Sequence, residues 1–211
     1  MSSKPILFNT EMVKAILDGR KTQTRRVIPL KNNDLIFTGF VVSSTAKNRE
    51  GYCAFGKNKE QDLEFIKPKY KVGDVLYVRE TFNTFSNITM DNEVGVIYKA
   101  DNKEVILPCN RDYECEYVFN DKWKPSIHMP KKYARIFLKV TNVRVERLQD
   151  ISVRDIEKAT GWRREIYSYS NKNKAFFKDY RDFWNSTAKD GCRWEHNPYV
   201  FVYEFERIHD V

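Results

Sequence analysis

The residues best equipped for chemistry stand together near the start of the chain, Gly19-Arg20-Lys21-Thr22-Gln23-Thr24-Arg25-Arg26. Three Arg, one Lys and two Thr fall within this short stretch. Met12, Val13, Ile16 and Leu17 recur just before it at helical spacing, which predicts a helix with one buried face. Gly19 suits the left-handed residue that stops a helix. The chain then turns into a strand that Pro29 ends. Cations and hydroxyls at such a turn are placed to grip a phosphate or polarise a carbonyl. A solvated basic turn capping the helix C-terminus satisfies the same pattern, because Lys and Arg are favoured there. Residue types alone leave both readings open.

Two other places carry reactive side chains. Residues 75–78 form a continuous apolar run after the turn signal Gly73-Asp74, which predicts a strand covered on both faces. Arg79 and Glu80 follow at its end and point to opposite faces if the strand continues. Residues 123–133 form a loop held by Pro125 and Pro130, with Trp123 and His128 among hydroxyls and cations. Such a loop lines a site or serves as a rigid connector.

The elements that position these residues follow from local signals. Residues 6–8 read as a strand, and Thr10 as the N-cap of the first helix, with Glu11 in its first turn. Residues 35–42 and 52–56 have strand character, separated by a polar loop at 43–50 and followed by a charged loop at 57–60. Phe82 and Phe85 fall in a loop. Residues 94–99 and 105–107 make a hairpin around Asp101-Asn102. Residues 109–120 have no assignable element. Residues 134–147 are the longest strand signal, and its alternation shifts phase across Thr141-Asn142, as at a bulge or barrel corner. Ser152 caps a short helix with Asp155 at its N3 position, and Gly161 ends it. Residues 174–187 carry an aromatic stripe at helical spacing, and residues 199–208 form a central strand. The pattern predicts an α+β fold, a small closed or half-closed β-barrel with helices packed outside.

The chain has 211 residues, 37 Lys and Arg against 29 Asp and Glu, and a net charge of +8. That surplus favours polyanions, nucleic acid above all. Cys53, Cys109, Cys115 and Cys192 form no CxxC pair, and His128, His196 and His209 are scattered, so neither a metal site nor a cofactor is expected. No signal peptide or membrane-length apolar run is visible, so a cytoplasmic protein with reduced thiols and no membrane partner is expected.

With these pieces in order, the chain resembles the ASCH domain family, a branch of the PUA-like superfold. The likeness is carried by the helix with Gly19-Arg20-Lys21-Thr22-Gln23-Thr24-Arg25-Arg26, by Gly73-Asp74-Val75-Leu76-Tyr77-Val78-Arg79-Glu80, and by Ser126-Ile127-His128-Met129-Pro130. It continues through Val145-Glu146-Arg147-Leu148-Gln149-Asp150-Ile151-Ser152, Phe183-Trp184-Asn185-Ser186 and Asn197-Pro198-Tyr199-Val200. The order is that of the longer ASCH proteins of bacteriophages and prophages. It implies a single domain over 1–211 with insertions at 31–69 and 101–122, and the cytoplasm of a host if the chain is phage-encoded. It also implies a cleft facing the basic turn, with Arg20, Thr22, Arg25, Arg26, Arg79, Trp123, His128 and Asn185 as ligand contacts.

Members of that family look like RNA-binding modules. Some small bacterial ones are N4-acetylcytidine amidohydrolases, and others have been described as ribonucleases. The amidohydrolase Lys and Thr carry over onto Lys21 and Thr24, where the lysine would take the threonine hydroxyl proton for attack on the acetyl carbonyl. The family glutamate does not carry over. Ala159 aligns there, or Thr160 with one inserted residue. Glu157 lies two residues early, about 200° round a helix, and Glu80 is the other carboxylate on offer. The resemblance therefore implies first an RNA-binding or nucleotide-binding module, with DNA as another nucleic-acid ligand. Second comes a hydrolase of a modified nucleoside or of RNA, and third a phage protein that binds a host protein.

Overall fold

A computed structural model of the protein describes residues 3–32, 34–42, 48–58, 61–86, 93–108, 122–163 and 172–208. The readings made for 109–120, Cys109 and Cys115 among them, and for His209 lie outside these. The fold is mixed α+β, with three sheets and three α-helices among the described residues. In chain order the strands and helices are β1 (Ser3–Leu7), α1 (Thr10–Leu17), β2 (Gln23–Val27), β3 (Ile36–Phe40), β4 (Cys53–Asn58), β5 (Gln61–Ile66), β6 (Val75–Arg79) and β7 (Phe82–Ser86). They continue with β8 (Glu93–Tyr98), β9 (Glu104–Pro108), β10 (Phe137–Arg147), α2 (Val153–Thr160), α3 (Lys172–Thr187) and β11 (Tyr199–Ile208). The chain folds as two compact units. The first draws on Met1–Lys21, Val75–Lys139 and Arg207–Val211, the second on Thr22–Asp74 and Val140–Glu206.

In the first unit β6 lies between β1, parallel to it, and the opening residues of β10, antiparallel to it. Leu76 and Val78 are fully buried on one face of β6, while Val75, Tyr77 and Arg79 are half-buried on the other. The expected double coverage of β6 is thus complete on one side only. The cap of α1 is Asn9, one residue before the expected Thr10. The Asn9 backbone is extended, and its Oδ1 accepts from the Met12 N–H at 2.8 Å. Thr10 already has helical geometry, so its hydroxyl is one residue too late to serve. At the other end Gly19 takes φ 71°. The Gly19 N–H then reaches the Ile16 carbonyl at 3.0 Å, and the Arg20 N–H reaches that of Ala15 at 2.8 Å. That paired closure is the Schellman motif, which needs a left-handed residue at this position.

The predicted hairpin is present as β8 and β9, and β7 extends it into a three-stranded antiparallel sheet. Phe82 and Phe85, expected in a loop, therefore lie on a strand. Phe82, Val96, Tyr98, Met129 and Tyr133 form a core beneath this sheet. The loop at 123–133 is drawn onto that core as two short 3₁₀ turns, Ser126–His128 and Lys131–Tyr133.

In the second unit β11 is central between β10 and β2. It pairs antiparallel with β2, placing Gln23 opposite Glu204, Thr24 opposite Tyr203 and Arg25 opposite Val202. Along β10 Val140 is buried, Thr141 and Asn142 are both exposed, and the residues after them are half-buried. The phase break read from the sequence is therefore real. A second antiparallel sheet runs β3-β4-β5, and β4 extends to Asn58 into the stretch expected to be a charged loop. Ser152 caps α2 by accepting from the Asp155 N–H at 3.1 Å, and Gly161 ends it at φ 78°. Leu148, Ile151, Ile156, Phe176, Tyr180, Val200 and Val202 form the core that α2 and α3 cover. The aromatic stripe of α3 supplies Phe176 and Tyr180 to it. Burying each such side chain contributes about 2–3 kcal/mol, enough to fix which face of α3 turns inward.

No helix among the described residues is long and apolar enough to cross a membrane.

Candidate functional site

The pleat of β2 sorts the basic stretch into two faces, since neighbouring residues on a strand point to opposite sides. Gln23 and Arg25 share one face, Thr24 and Arg26 the other. Gln23, Thr24 and Arg25 are all buried; Arg26 keeps exposed surface, yet desolvation beside Tyr70 and Tyr203 lowers its guanidinium from the ordinary value.

Arg25 enters a polar cluster inside the second unit. Its side chain is 1% exposed. Nη2 donates to Glu146 Oε2 at 3.1 Å and stands 3.7 Å from Asp155 Oδ2, and Nη1 donates to Gln23 Oε1. The Gln23 amide in turn donates to Asp155 Oδ1 at 3.0 Å and Glu204 Oε1 at 3.2 Å. Arg144 closes the cluster. Its Nη1 donates to Glu204 at 2.7 Å, its Nη2 reaches Asp155 at 3.4 Å, and its Nε bonds Glu146. Two guanidiniums thus hold three carboxylates. Burial pushes Asp155 up, but the hydrogen bonds from Ser152 and Gln23 and the charges of Arg25 and Arg144 outweigh it, leaving the carboxyl below its ordinary range. Glu204 is lowered in the same way. Burial again opposes, and Arg144 and Gln23 prevail. One atom is left over, because the buried Nε of Arg25 has no hydrogen-bond partner among the described residues.

The opposite face of β2 is aromatic. The Tyr70 and Tyr203 rings meet edge to face at 5.1 Å, and the Tyr203 hydroxyl accepts from the Lys69 N–H at 3.2 Å. Burial raises both phenols to about 12, with the Arg26 charge pulling Tyr70 back in part. Thr22, just before β2, donates its N–H to the Lys158 carbonyl at 3.0 Å and accepts from the Phe205 N–H at 2.9 Å. These bonds fix where the strand starts. Glu157 is half-buried on α2, two residues beyond Asp155.

In the first unit Lys21 is only 2% exposed, and its ammonium lies 5.1 Å from the centre of the Phe8 ring. Arg20 pairs with Asp18 at 2.7 Å. Arg79 and Glu80 diverge as the pleat requires. Arg79 donates to the carbonyls of Met129, at 2.8 Å, and of Ile127, fastening the loop that carries His128. Glu80 gives its two oxygens to Arg135, at 2.9 Å each. Arg135 also holds Asp101, at 2.8 and 2.9 Å, and lies 4.0 Å from the centre of the Tyr98 ring. Burial pushes the Glu80 carboxyl up, and the Arg135 bonds pull against it. His128 is exposed, and Trp123 is half-buried with the Lys99 ammonium 5.9 Å from its ring centre.

Asn185, expected as a ligand contact, spends its amide on the Trp194–His196 turn of the second unit. Oδ1 accepts from the Trp194 N–H at 2.8 Å, and Nδ2 donates to both Glu195 oxygens at 3.2 Å.

The structure therefore brings Arg25 together with Glu146, Asp155, Glu204 and Arg144, and Glu80 with Arg135 and Asp101. None of these carboxylates was read from the sequence as a partner of Arg25. The usable signal lay on β10, where Arg144 and Glu146 alternate with Val143 and Val145; on β2 residues 23–26 are all polar and give none. Among the described residues no group of three or more His, Cys, Asp and Glu is placed to hold a metal. Comparisons with protein-family models, with curated proteins and with solved structures found no match to this chain.

Proposed function

We propose that the chain is a nucleic-acid-binding protein, with RNA as its ligand, built as an ASCH-type PUA-like barrel. The observation that carries this is where the acidic groups are spent. Arg25 and Arg144 with Glu146, Asp155 and Glu204 sum to −1, and Arg135 with the buried Glu80 sums to zero. The buried Lys21 adds +1, so these inward-facing groups cancel, and the +8 of the whole chain falls on the remaining residues, the exposed Asp101 among them. The basic surplus is therefore not spent inside the fold. A surface of that sign attracts phosphate backbones and binds them with strong salt dependence.

Fluorescence anisotropy with a labelled single-stranded RNA, between about 50 and 200 mM salt, tests the proposal. Binding that weakens steeply with salt is expected. Absent or salt-insensitive binding removes it, and a DNA strand of the same sequence shows whether the sugar is read.

One observation favours hydrolysis of a modified nucleoside as a second reading, namely that Lys21 and Thr24 are both buried. A desolvated lysine is the type of base such chemistry uses. Of the carboxylates on offer, Glu80 already gives both oxygens to Arg135. Incubation with N4-acetylcytidine decides the matter. Cytidine released by wild type and lost in Lys21→Ala supports hydrolysis, and no release by wild type ends it for that substrate.

A further inference from the structure

The outer face of α3 differs in kind from the basic stretch near the N-terminus. Lys174, Lys178 and Arg181 follow at four- and three-residue intervals, which puts them on one face of the helix. Phe177 sits among them, and Trp194 forms the facing wall. With Ala175 they line a pocket of about 600 Å³. Both rings are half-buried and pack inward on the core of the second unit, Trp194 meeting Tyr180 edge to face at 6.0 Å. The backbone of Trp194 is fixed from two sides. Its N–H is held by Asn185 at 2.8 Å, and its carbonyl accepts from Gln149 at 2.9 Å. A ring platform fixed in this way loses little freedom when a ligand stacks on it.

The charged residues that line the pocket, Lys174, Lys178 and Arg181, are all positive, while the acids next to them in the chain, Asp179, Asp182 and Glu195, are not part of the lining. Lys174 and Lys178 are exposed and make no ion pair among the described residues. Arg181 pairs with its neighbour Asp182 at 3.0 Å, but both side chains are well exposed, so the pair is weak. The Glu195 carboxylate accepts from the neutral Asn185 amide, which holds its position and leaves its charge in place. Lys174 and Lys178 are separated by about 6 Å along the axis, a step that suits successive phosphates of an extended strand.

We infer that this face of α3 is a contact surface for single-stranded RNA. A base stacks against Trp194 and Phe177, while flanking phosphates meet Lys174, Lys178 and Arg181. The chemistry required is a flat π-face beside anionic charge, which single strands supply at every residue. This assignment presupposes the nucleic-acid binding proposed above and locates it on a surface outside the basic turn.

The test is anisotropy titration of a labelled oligouridylate with the full chain. Wild type is compared with Lys174→Ala/Lys178→Ala, with Trp194→Ala and Trp194→Phe, and with a charge-matched control, Lys57→Ala/Lys71→Ala, on exposed residues elsewhere. Near-UV circular dichroism checks that each variant is folded. The α3 lysine pair is expected to weaken binding about tenfold and to flatten the salt slope by about 1.4, at about 0.7 per phosphate contact on a single strand. Trp194→Ala is expected to weaken binding about tenfold with the slope unchanged, and Trp194→Phe to keep most of the affinity. If wild type binds and the α3 variants bind equally well, or the control loses as much, the assignment to α3 is overturned while RNA binding stands. If wild type does not bind, both fall. A polyglutamate competitor that displaces the RNA as well as unlabelled oligouridylate does would show a general polyanion surface and overturn the stacking assignment.

Discussion

Arg25→Met tests whether the cluster behind β2 is held by charge. The substitution removes the bond to Glu146 at 3.1 Å, the bond to Gln23 and the 3.7 Å approach to Asp155, while keeping a similar apolar volume. Bonds to charged groups contribute about 1.5–3 kcal/mol each. Against that, the Arg25 Nε is already buried without a hydrogen-bond partner among the described residues. Deleting it relieves a penalty of about 1–3 kcal/mol. Glu146 and Asp155 retain Arg144, so neither becomes an isolated buried charge. The net expectation is a loss of about 2–4 kcal/mol, near the lower end for a broken buried pair.

Urea unfolding followed by tryptophan fluorescence is the suitable assay, since Trp162, Trp184 and Trp194 all belong to the second unit and only Trp123 to the first. With a slope of about 2 kcal/mol per molar urea, the midpoint falls by about 1–2 M at pH 7. Acid supplies a second readout. Asp155 and Glu204 have folded values below their unfolded ones. Their stabilisation is therefore complete above the unfolded carboxylate range, and it is lost as pH falls from about 4 through the lowered folded values. Part of the Asp155 shift comes from Arg25, so the gap between wild type and variant narrows over that acid window. The exposed neighbour Arg26→Met, on the other face of the same strand, is expected to cost about 1 kcal/mol or less. A loss below about 1 kcal/mol for Arg25→Met, or a gap that stays constant from neutral to acid pH, refutes a charge-held cluster.

Three further outcomes follow from particular contacts. Asn9→Ala is expected to cost about 1 kcal/mol and Thr10→Ala clearly less, read as melting temperatures, because only Asn9 caps α1. Gly95→Ala drives a methyl into the Phe85 ring directly across the β7–β8 ladder. It should lower stability by about 1–3 kcal/mol, with the loss smaller in a Phe85→Ala background. Asn185→Ala releases the Trp194 turn without removing a cation, so RNA affinity falls while the salt slope stays at its wild-type value.

Elements carrying their own boundary signals were legible from the sequence. Gly19 and Gly161 both take the left-handed conformation expected of them, and Ser152 with Asp155 forms the expected cap. Each is decided within one turn of chain, so no distant partner is needed. β7 is different. Phe82-Asn83-Thr84-Phe85 sets two polar residues between two apolar ones, so it has no period-2 alternation to announce a strand. What makes it one is a neighbour, β8, whose Val96 and Tyr98 share its core and whose Gly95 leaves room for Phe85. Strand preference is settled by cross-strand packing more than by the residues themselves, which is also why residues 61–66, paired with β4 as β5, carry no strand signal of their own.

The basic stretch shows the same limit in its sharpest form. Arg20, Arg25 and Arg26 are identical in type and lie within a few residues, yet they meet different surroundings. Arg20 sits just past the helix stop and pairs with Asp18. Arg25 and Arg26 are separated by one step of the pleat, which sends the first inward and leaves the second exposed. Arg25 is then claimed by Glu146, 121 residues away in the chain, and by Asp155 from another element. A buried cation held that way would have to surrender its half-buried carboxylates before it could take a phosphate, so density of positive residues in sequence is a poor guide to where a polyanion docks. Cations without acidic partners are the better guide. Lys174 and Lys178 on α3 qualify, spaced by a helical period and set beside two rings, although no motif marks them in the sequence.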